Sequence, residues 1–504
     1  MWMLAGVLAA TGVLAVTACS DDDDTAATPT TEAEETTTST TAADEAPTGP
    51  VADVTEEVTG GAGTFLGAPA DRPFPEGYVE SEHLAAGTAQ TATSAGELPG
   101  DGMWELEPGP TAEYRTRIVV RQPERAEDFS GVVLLEWMNV SGGVDADPEW
   151  TTLREEIARE GHVWIGVSAQ ALGIEGGDVR VRVSEDIEGS DAAGKGLRAI
   201  DPERYGDLQH PGDAFSYDIY SQVGRAVRAG IPPLGGFDVE HLIAAGESQS
   251  AMALVTYVNG FHPDAQVFDA FYVHSRGANG LPVPAPGENA DIAGSLGAPP
   301  TVLRTDHDAE MLVLQAENDV TGALRGIGAR QPDSDTFRLW EVAGTAHADR
   351  RLMGADTADS IDCGAPINDG PLHVVAKAAL RHLVTWVQGG DAPPEAPRLE
   401  VTEDQSAIVR DEDGIALGGI RTPPVDVPVQ VLSGEQGPKP EIICILSGST
   451  LPMAPERIAA RYPTVADYEE QYAAAIDAAV GAGFVLDEDR EAIQAYARPE
   501  LVTG

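Results

Sequence analysis

The sequence predicts an α/β fold built on a mostly parallel central sheet with helices on both faces. Three observations carry that expectation. Several segments are continuous apolar runs of strand length, the mark of a sheet covered on both faces. Segments with helical punctuation alternate with them. One strand also runs straight into a helix through a serine-bearing turn, "HLIAAGESQSAMALV".

The expected strands, in order, are residues 114–123 ("YRTRIVVRQP"), 131–139 ("GVVLLEWMN"), 162–170 ("HVWIGVSAQ") and 241–246 ("HLIAAG"). Residues 266–275 ("QVFDAFYVHS"), 310–319 ("EMLVLQAEND") and 336–344 ("TFRLWEVAG") complete the set. Residues 148–161 read as a helix because Pro148 stands near the start and Gly161 at the end. Residues 216–230 and 371–390 are similar, and "SAMALVTYVNG" follows the serine turn. Two stretches, 171–215 and 276–309, exceed ordinary loop length and are expected to be lid-type or binding insertions. A C-terminal extension is expected near 395–504.

The chain carries a formal charge of −52 over 504 residues. Ser20 to Gly60 holds 12 acidic residues and no Lys or Arg, which leaves −40 for the rest. Such a field repels nucleic acid and anionic lipid surfaces, so neither is an expected partner. The start, "MWMLAGVLAATGVLAVTACSDDDD", is an apolar run followed by a cysteine and an acidic run. It is short for a membrane span and suits an export signal. Val16-Thr17-Ala18-Cys19 resembles the lipobox of bacterial lipoproteins. That resemblance implies a signal peptide over 1–18, lipidation of Cys19, and a membrane contact through the lipid alone on the extracytoplasmic side. Residues 19–58 are expected to be a disordered acidic, Thr-rich tether, and 59–504 the folded domain. With Cys19 lipidated, Cys363 and Cys444 remain to form a disulfide in an oxidising compartment. No CxxC or His/Cys cluster has zinc spacing, so no metal or cofactor is expected.

The chemistry centres on Ser248. Strand, sharp turn and helix are the context of a nucleophile elbow, in which residues two before and two after the serine must be small. Gly246 meets the first demand; Ser250 stands where glycine is usual. The turn lifts the hydroxyl above the sheet edge, and the Gln249 backbone N–H is aimed at the same reacting atom. A bare helix cap is the competing reading of such a serine.

A serine of ordinary pKa needs a base, and the base an orienting acid. Of ten histidines, His83, His162, His210 and His241 precede Ser248. His262, His274 and His307 precede the best acid-bearing strand end, and His373 and His382 sit in an amphipathic helix. His347 remains, in the loop "GTAHAD" after a strand. The acid expected at the end of "EMLVLQAENDV" is Asp319, with Glu317 the alternative. The second oxyanion donor is expected from the backbone of Met138 or Asn139, and Trp137 is expected to pack. Arg276, in "HSRG", is a candidate to hold a polar or anionic substrate group, with an ordinary salt bridge the competing role.

At these residues the chain resembles the α/β-hydrolase superfamily, and closely a bacterial, often exported branch of "alpha/beta hydrolase domain" proteins. The matching stretches include "EWMNVSGGVDADPEW", "GHVWIGVSAQ", "AAGESQSA", "VHSRG", "QAENDV", "GTAHAD", "CGAPINDGP" and "GGIRTPPVDVPV". They span about residues 60–500, which implies one elaborated domain. The resemblance implies a triad of Ser248, His347 and Asp319 (or Glu317) and hydrolysis of a small ester substrate. Two other functions fit the same residues: a tethered binding protein that keeps the fold without chemistry, and a peptidase or acyl transferase on the same triad.

Overall fold

The computed structural model describes residues 48–67, 73–94, 96–181 and 190–502. The expected signal at 1–18, Cys19 and most of the tether lie outside the described residues.

Eight strands form the main sheet: β1 (Tyr78–Ser94), β2 (Leu106–Pro123), β3 (Val132–Trp137), β4 (Val163–Val167), β5 (His241–Glu247), β6 (Ala270–His274), β7 (Glu310–Ala316) and β8 (Phe337–Val342). Their order across the sheet is β1-β2-β4-β3-β5-β6-β7-β8. β1 and β2 are antiparallel, as are β2 and β4; every other pairing is parallel. The parallel strands therefore end along one edge, at Trp137, Val167, Glu247, His274, Ala316 and Val342. In open α/β sheets that edge is where ligands bind.

All seven expected strands are present; most have trimmed ends, but β2 reaches back to Leu106 and β5 runs on to Glu247. The 266–275 segment narrows to Ala270–His274 because Gln266 turns left-handed (φ 44°) to close the short helix His262–Ala265. The 310–319 segment stops at Ala316 because Glu317–Thr321 is helical. β1 escaped sequence reading. Its residues, "YVESEHLAAGTAQTATS", are mostly small or polar, and its strand state comes from pairing with β2 from Tyr78↔Pro123 to Ser94↔Leu106.

Order also begins earlier than the expected boundary at residue 59. Ala52 and Val54 are buried, and the chain around them pairs with β1 through Asp53↔Ala86 and Glu57↔His83. Alternate small apolar residues there face the core, which a polar tether cannot do.

Both faces of the sheet are covered. One carries helices Ser216–Ala229 and Gln249–Gly260 over Val133, Leu135, Ala244, Phe271 and Val313. The other carries helices Pro148–Glu160 and Leu372–Val387 over Leu134, Ile243, Tyr272, Leu312 and Trp340. Pro148 begins its helix, and Gly161 ends it at φ 72°.

The insertions hold short helices, among them Ala171–Glu175 and Ile292–Ser295. Buried Asp213 ties them together, accepting from the amides of Ala171 (2.7 Å) and Ala290 (2.8 Å). The C-terminal extension has its own core, in which Tyr462, Tyr468, Tyr472, Ile476 and Ile493 pack with Val320, Ala343 and Val374 of the main body. It adds a small antiparallel pair, β9 (Gln430–Ser433) and β10 (Ser449–Pro452). Cys363 and Cys444 form a disulfide across 81 positions of chain.

Candidate active site

β5 delivers Ser248 to the ligand-binding edge. Ser248 sits at φ 59°, ψ −118°, a conformation costly for any residue with a Cβ. The turn is held by its amide, which donates to the His274 carbonyl of β6 at 2.9 Å. The demand for small neighbours is visible: a Cβ on Gly246 would come within 3.1 Å of the Ser250 Cβ. Serine at 250 fits because its side chain is buried beside that glycine. Between Leu242 and Asn259 the chain is otherwise buried, and Ser248 alone is partly exposed. The hydroxyl is thus the part of this element that solvent can reach.

The loop after β8 brings His347 to the serine. Its Nε2 lies 2.8 Å from Ser248 Oγ, and its Nδ1 lies 2.7 Å from Asp319 Oδ1. A carboxylate accepts only, so Nδ1 carries the proton toward Asp319 and Nε2 faces the hydroxyl. The second oxygen of Asp319 accepts from the Ala316 amide at 2.7 Å. The structure thus brings Ser248, His347 and Asp319 into one hydrogen-bonded chain.

Glu317 is elsewhere engaged. Its carboxylate accepts from the amides of Gly344 (2.7 Å) and Gly434 (2.8 Å) and from Arg410. It staples the C-terminal extension to the body, and the carboxylate on His347 Nδ1 is that of Asp319.

Gln249 is the first residue of its helix, so its amide has no acceptor within the helix. The backbone amides of Met138 and Asn139 are both engaged. The Met138 amide donates to Val167 (3.2 Å) and the Asn139 amide to Ala146 (2.9 Å). The next amide, on Val140, makes only a long contact of 3.4 Å with Gln249 Oε1. Asn139 acts through its side chain, which donates to the Glu247 carbonyl (3.1 Å) and to Glu247 Oε2 (3.3 Å). Trp137 packs on Tyr217 and Tyr220, and its indole N–H donates to Gln170.

Arg276 is buried and donates to the carbonyls of Gly277 (2.8 Å), Ala278 (3.2 Å) and Thr301 (2.6 Å). Its work is to pin the start of the 276–309 insertion, and burial pushes its pKa down to about 9.

Sequence reading passed over Glu247. This buried carboxylate puts Oε1 3.2 Å from His347 Nε2. Burial raises its pKa to about 7, against the opposing pull of His347 and His274. Burial alone would lower the His347 ring; the carboxylates of Glu247 and Asp319 outweigh it and raise it to about 9.

The family described as "Alpha/beta hydrolase domain" matches residues 47–495. No curated protein matches. Among solved structures, fungal esterases from Rhizomucor miehei show 11% identity over 60% of this chain and 85% of theirs, with a TM-score of 0.29. An α/β serine hydrolase from Xanthomonas campestris shows 12% identity over 51% of this chain and 83% of its own, with a TM-score of 0.25. The family match spans nearly all of the folded chain, and with it the eight-stranded sheet: the protein belongs to the alpha/beta hydrolase domain family.

Proposed function

We propose that the protein is a serine hydrolase that cleaves carboxylic esters through an acyl-enzyme. The observation that carries this reading is the unbroken run from Asp319 through His347 to Ser248, with the serine on a strained, partly exposed turn. Ser248 Oγ attacks the ester carbonyl while His347 Nε2 takes its proton. Asp319 holds the ring in the required tautomer and stabilises the imidazolium. The Gln249 and Val140 amides face the developing oxyanion, and the helix Gln249–Gly260 adds the partial positive charge of its N-terminus. His347 returns the proton to the leaving alcohol. Water then adds to the acyl group by the same route and frees the serine.

The test is Ser248→Ala. Turnover of 4-nitrophenyl esters falls by roughly 10⁴–10⁶-fold, and labelling by a fluorophosphonate is lost while the fold persists. A folded variant with near-normal turnover overturns the assignment. Wild-type protein that neither labels nor turns over any ester is a binding protein on a hydrolase fold. Preference for matched amides makes it a peptidase.

We propose separately that the protein acts outside the cytoplasm, anchored by lipid on Cys19. The apolar run ahead of Cys19 supports it, and so does the Cys363–Cys444 bond, since disulfides persist in oxidising compartments. Cys19→Ser then releases the protein from the membrane fraction or leaves its signal unprocessed. An N-terminal peptide of wild-type protein without lipid mass sinks the anchor.

A further inference from the structure

Several glutamates at or just beyond the ends of strands in the main sheet are buried, Glu136, Glu247 and Glu317 among them, and they are held in different ways. Glu136, in β3, accepts from the amides of Glu149 (3.0 Å) and Trp150 (3.1 Å) and from the Trp164 indole (2.7 Å). Glu317, just past β7, accepts from two amides and Arg410. Both are fastened by hydrogen bonds of the fold. Glu247, at the end of β5, has only the Asn139 side chain on Oε2. Its Oε1 has no hydrogen-bond donor in place and points at the nitrogen that also meets Ser248 Oγ. Burying a carboxyl group so poorly satisfied is costly, and packing gives no return for it.

We propose that Glu247 is a positioning residue that shares a proton with His347 and sets the pH at which the base becomes free. This rests on the serine-hydrolase reading above. The groups that face the pair are Asp319 beyond β7, His274 at the end of β6, Glu149 on the helix Pro148–Glu160, and the neutral Asn139 amide. His274 lies 3.4 Å from Glu149, so that charge is partly answered within the cluster. With Glu247 ionised, His347 lies between two carboxylates and retains its proton, and Nε2 cannot accept from Ser248. Loss of that proton opens the base. Once Ser248 has attacked, the same carboxylate stabilises the new imidazolium before it passes its proton to the alcohol. Glu247 thus raises the pH at which activity begins and steadies the charged intermediate that follows.

The experiment compares full-length wild type and Glu247→Gln in the pH dependence of kcat/KM for a short-chain 4-nitrophenyl ester, read at an isosbestic wavelength. The glutamine keeps the shape and the Asn139 contact but not the charge. The acid limb of the variant moves to lower pH by about one unit or more, and its limiting kcat falls by about tenfold. A drop in kcat with the limb unmoved is what a structural role gives, and it overturns the proposal. A folding failure of the variant leaves a second measurement, NMR titration of the His347 ring in wild-type protein. Two coupled steps support the shared proton, and a single step near the ordinary histidine value overturns it. Retained turnover in Ser248→Ala brings down the underlying reading instead; a dead Ser248→Ala with an unmoved Glu247→Gln limb brings down this inference alone.

Discussion

The side-chain oxygen of Asn318 accepts the backbone N–H of His347 at 2.8 Å. Asn318 sits beside Asp319, so the segment that carries the acid also fixes the backbone of the base. Its amide nitrogen in turn donates to the Leu446 carbonyl at 2.9 Å, and that carbonyl also accepts from the Ala348 amide at 3.0 Å. The C-terminal extension thus closes around the acid and base loops.

Asp319→Asn and Glu317→Gln separate two adjacent carboxylates with unlike work. An amide at 319 cannot hold the productive tautomer or stabilise the imidazolium, so kcat falls by roughly 10⁴-fold with little change in melting temperature. Glu317→Gln leaves Arg410 without its buried partner and costs about 2–3 kcal/mol of stability, with kcat far less affected. Steady-state kinetics and thermal melts on both variants check this. The reverse ranking returns Glu317 to the acid's place.

The disulfide ties the short helix Ile442–Leu446, and so the Leu446 carbonyl, to the chain at Cys363. Replacing both cysteines by serine removes a constraint on a long loop and costs about 4 kcal/mol. Because the tie supports the backbone of the base, kcat falls by about tenfold while KM holds. Denaturant melts and kinetics of the double variant test both parts. An unchanged kcat means that the hydrogen bonds from Asn318 and Ala348 suffice alone.

Acid should weaken the fold through His162 and His262. Burial, with Arg381 near the first and His307 and Arg304 near the second, lowers both rings to about 3. The unfolded chain takes up these protons near pH 6.5 and the folded protein does not. Their contribution is therefore whole above about pH 6.5 and is lost as pH falls toward 3, at about 1.4 kcal/mol per unit for each ring. In His262→Gln the stability lost between pH 7.5 and 5 shrinks by about 2 kcal/mol, measured by urea unfolding. An equal loss in wild type and variant means that the ring is already charged in the folded state.

Much of this molecule was legible before its structure. The parallel strands announce themselves because each is buried on both faces and must be apolar along its length. Ser248, His347 and Asp319 were legible because each closes or follows such a strand, and the chain order restricts the choice. β1 was not, since its partner and not its composition makes it a strand. The engagement of the Asn139 amide was not legible, because its bridge to Ala146 leaves no local mark. Glu247 was in plain sight within "GESQS", but among 83 acidic residues nothing in its letter marks the one aimed at a histidine.

The clasp at Leu446 has a consequence in time. That residue stands 99 positions after His347. A chain emerging N-terminus first has made its serine, its acid and its base long before it makes the carbonyl that steadies them. On the proposed function, the loop that carries the base lacks this clasp until almost nine-tenths of the polypeptide has been made. Synthesis that stalls short of residue 446 therefore yields a chain that holds Ser248, Asp319 and His347 without the carbonyl that accepts from Asn318 and Ala348.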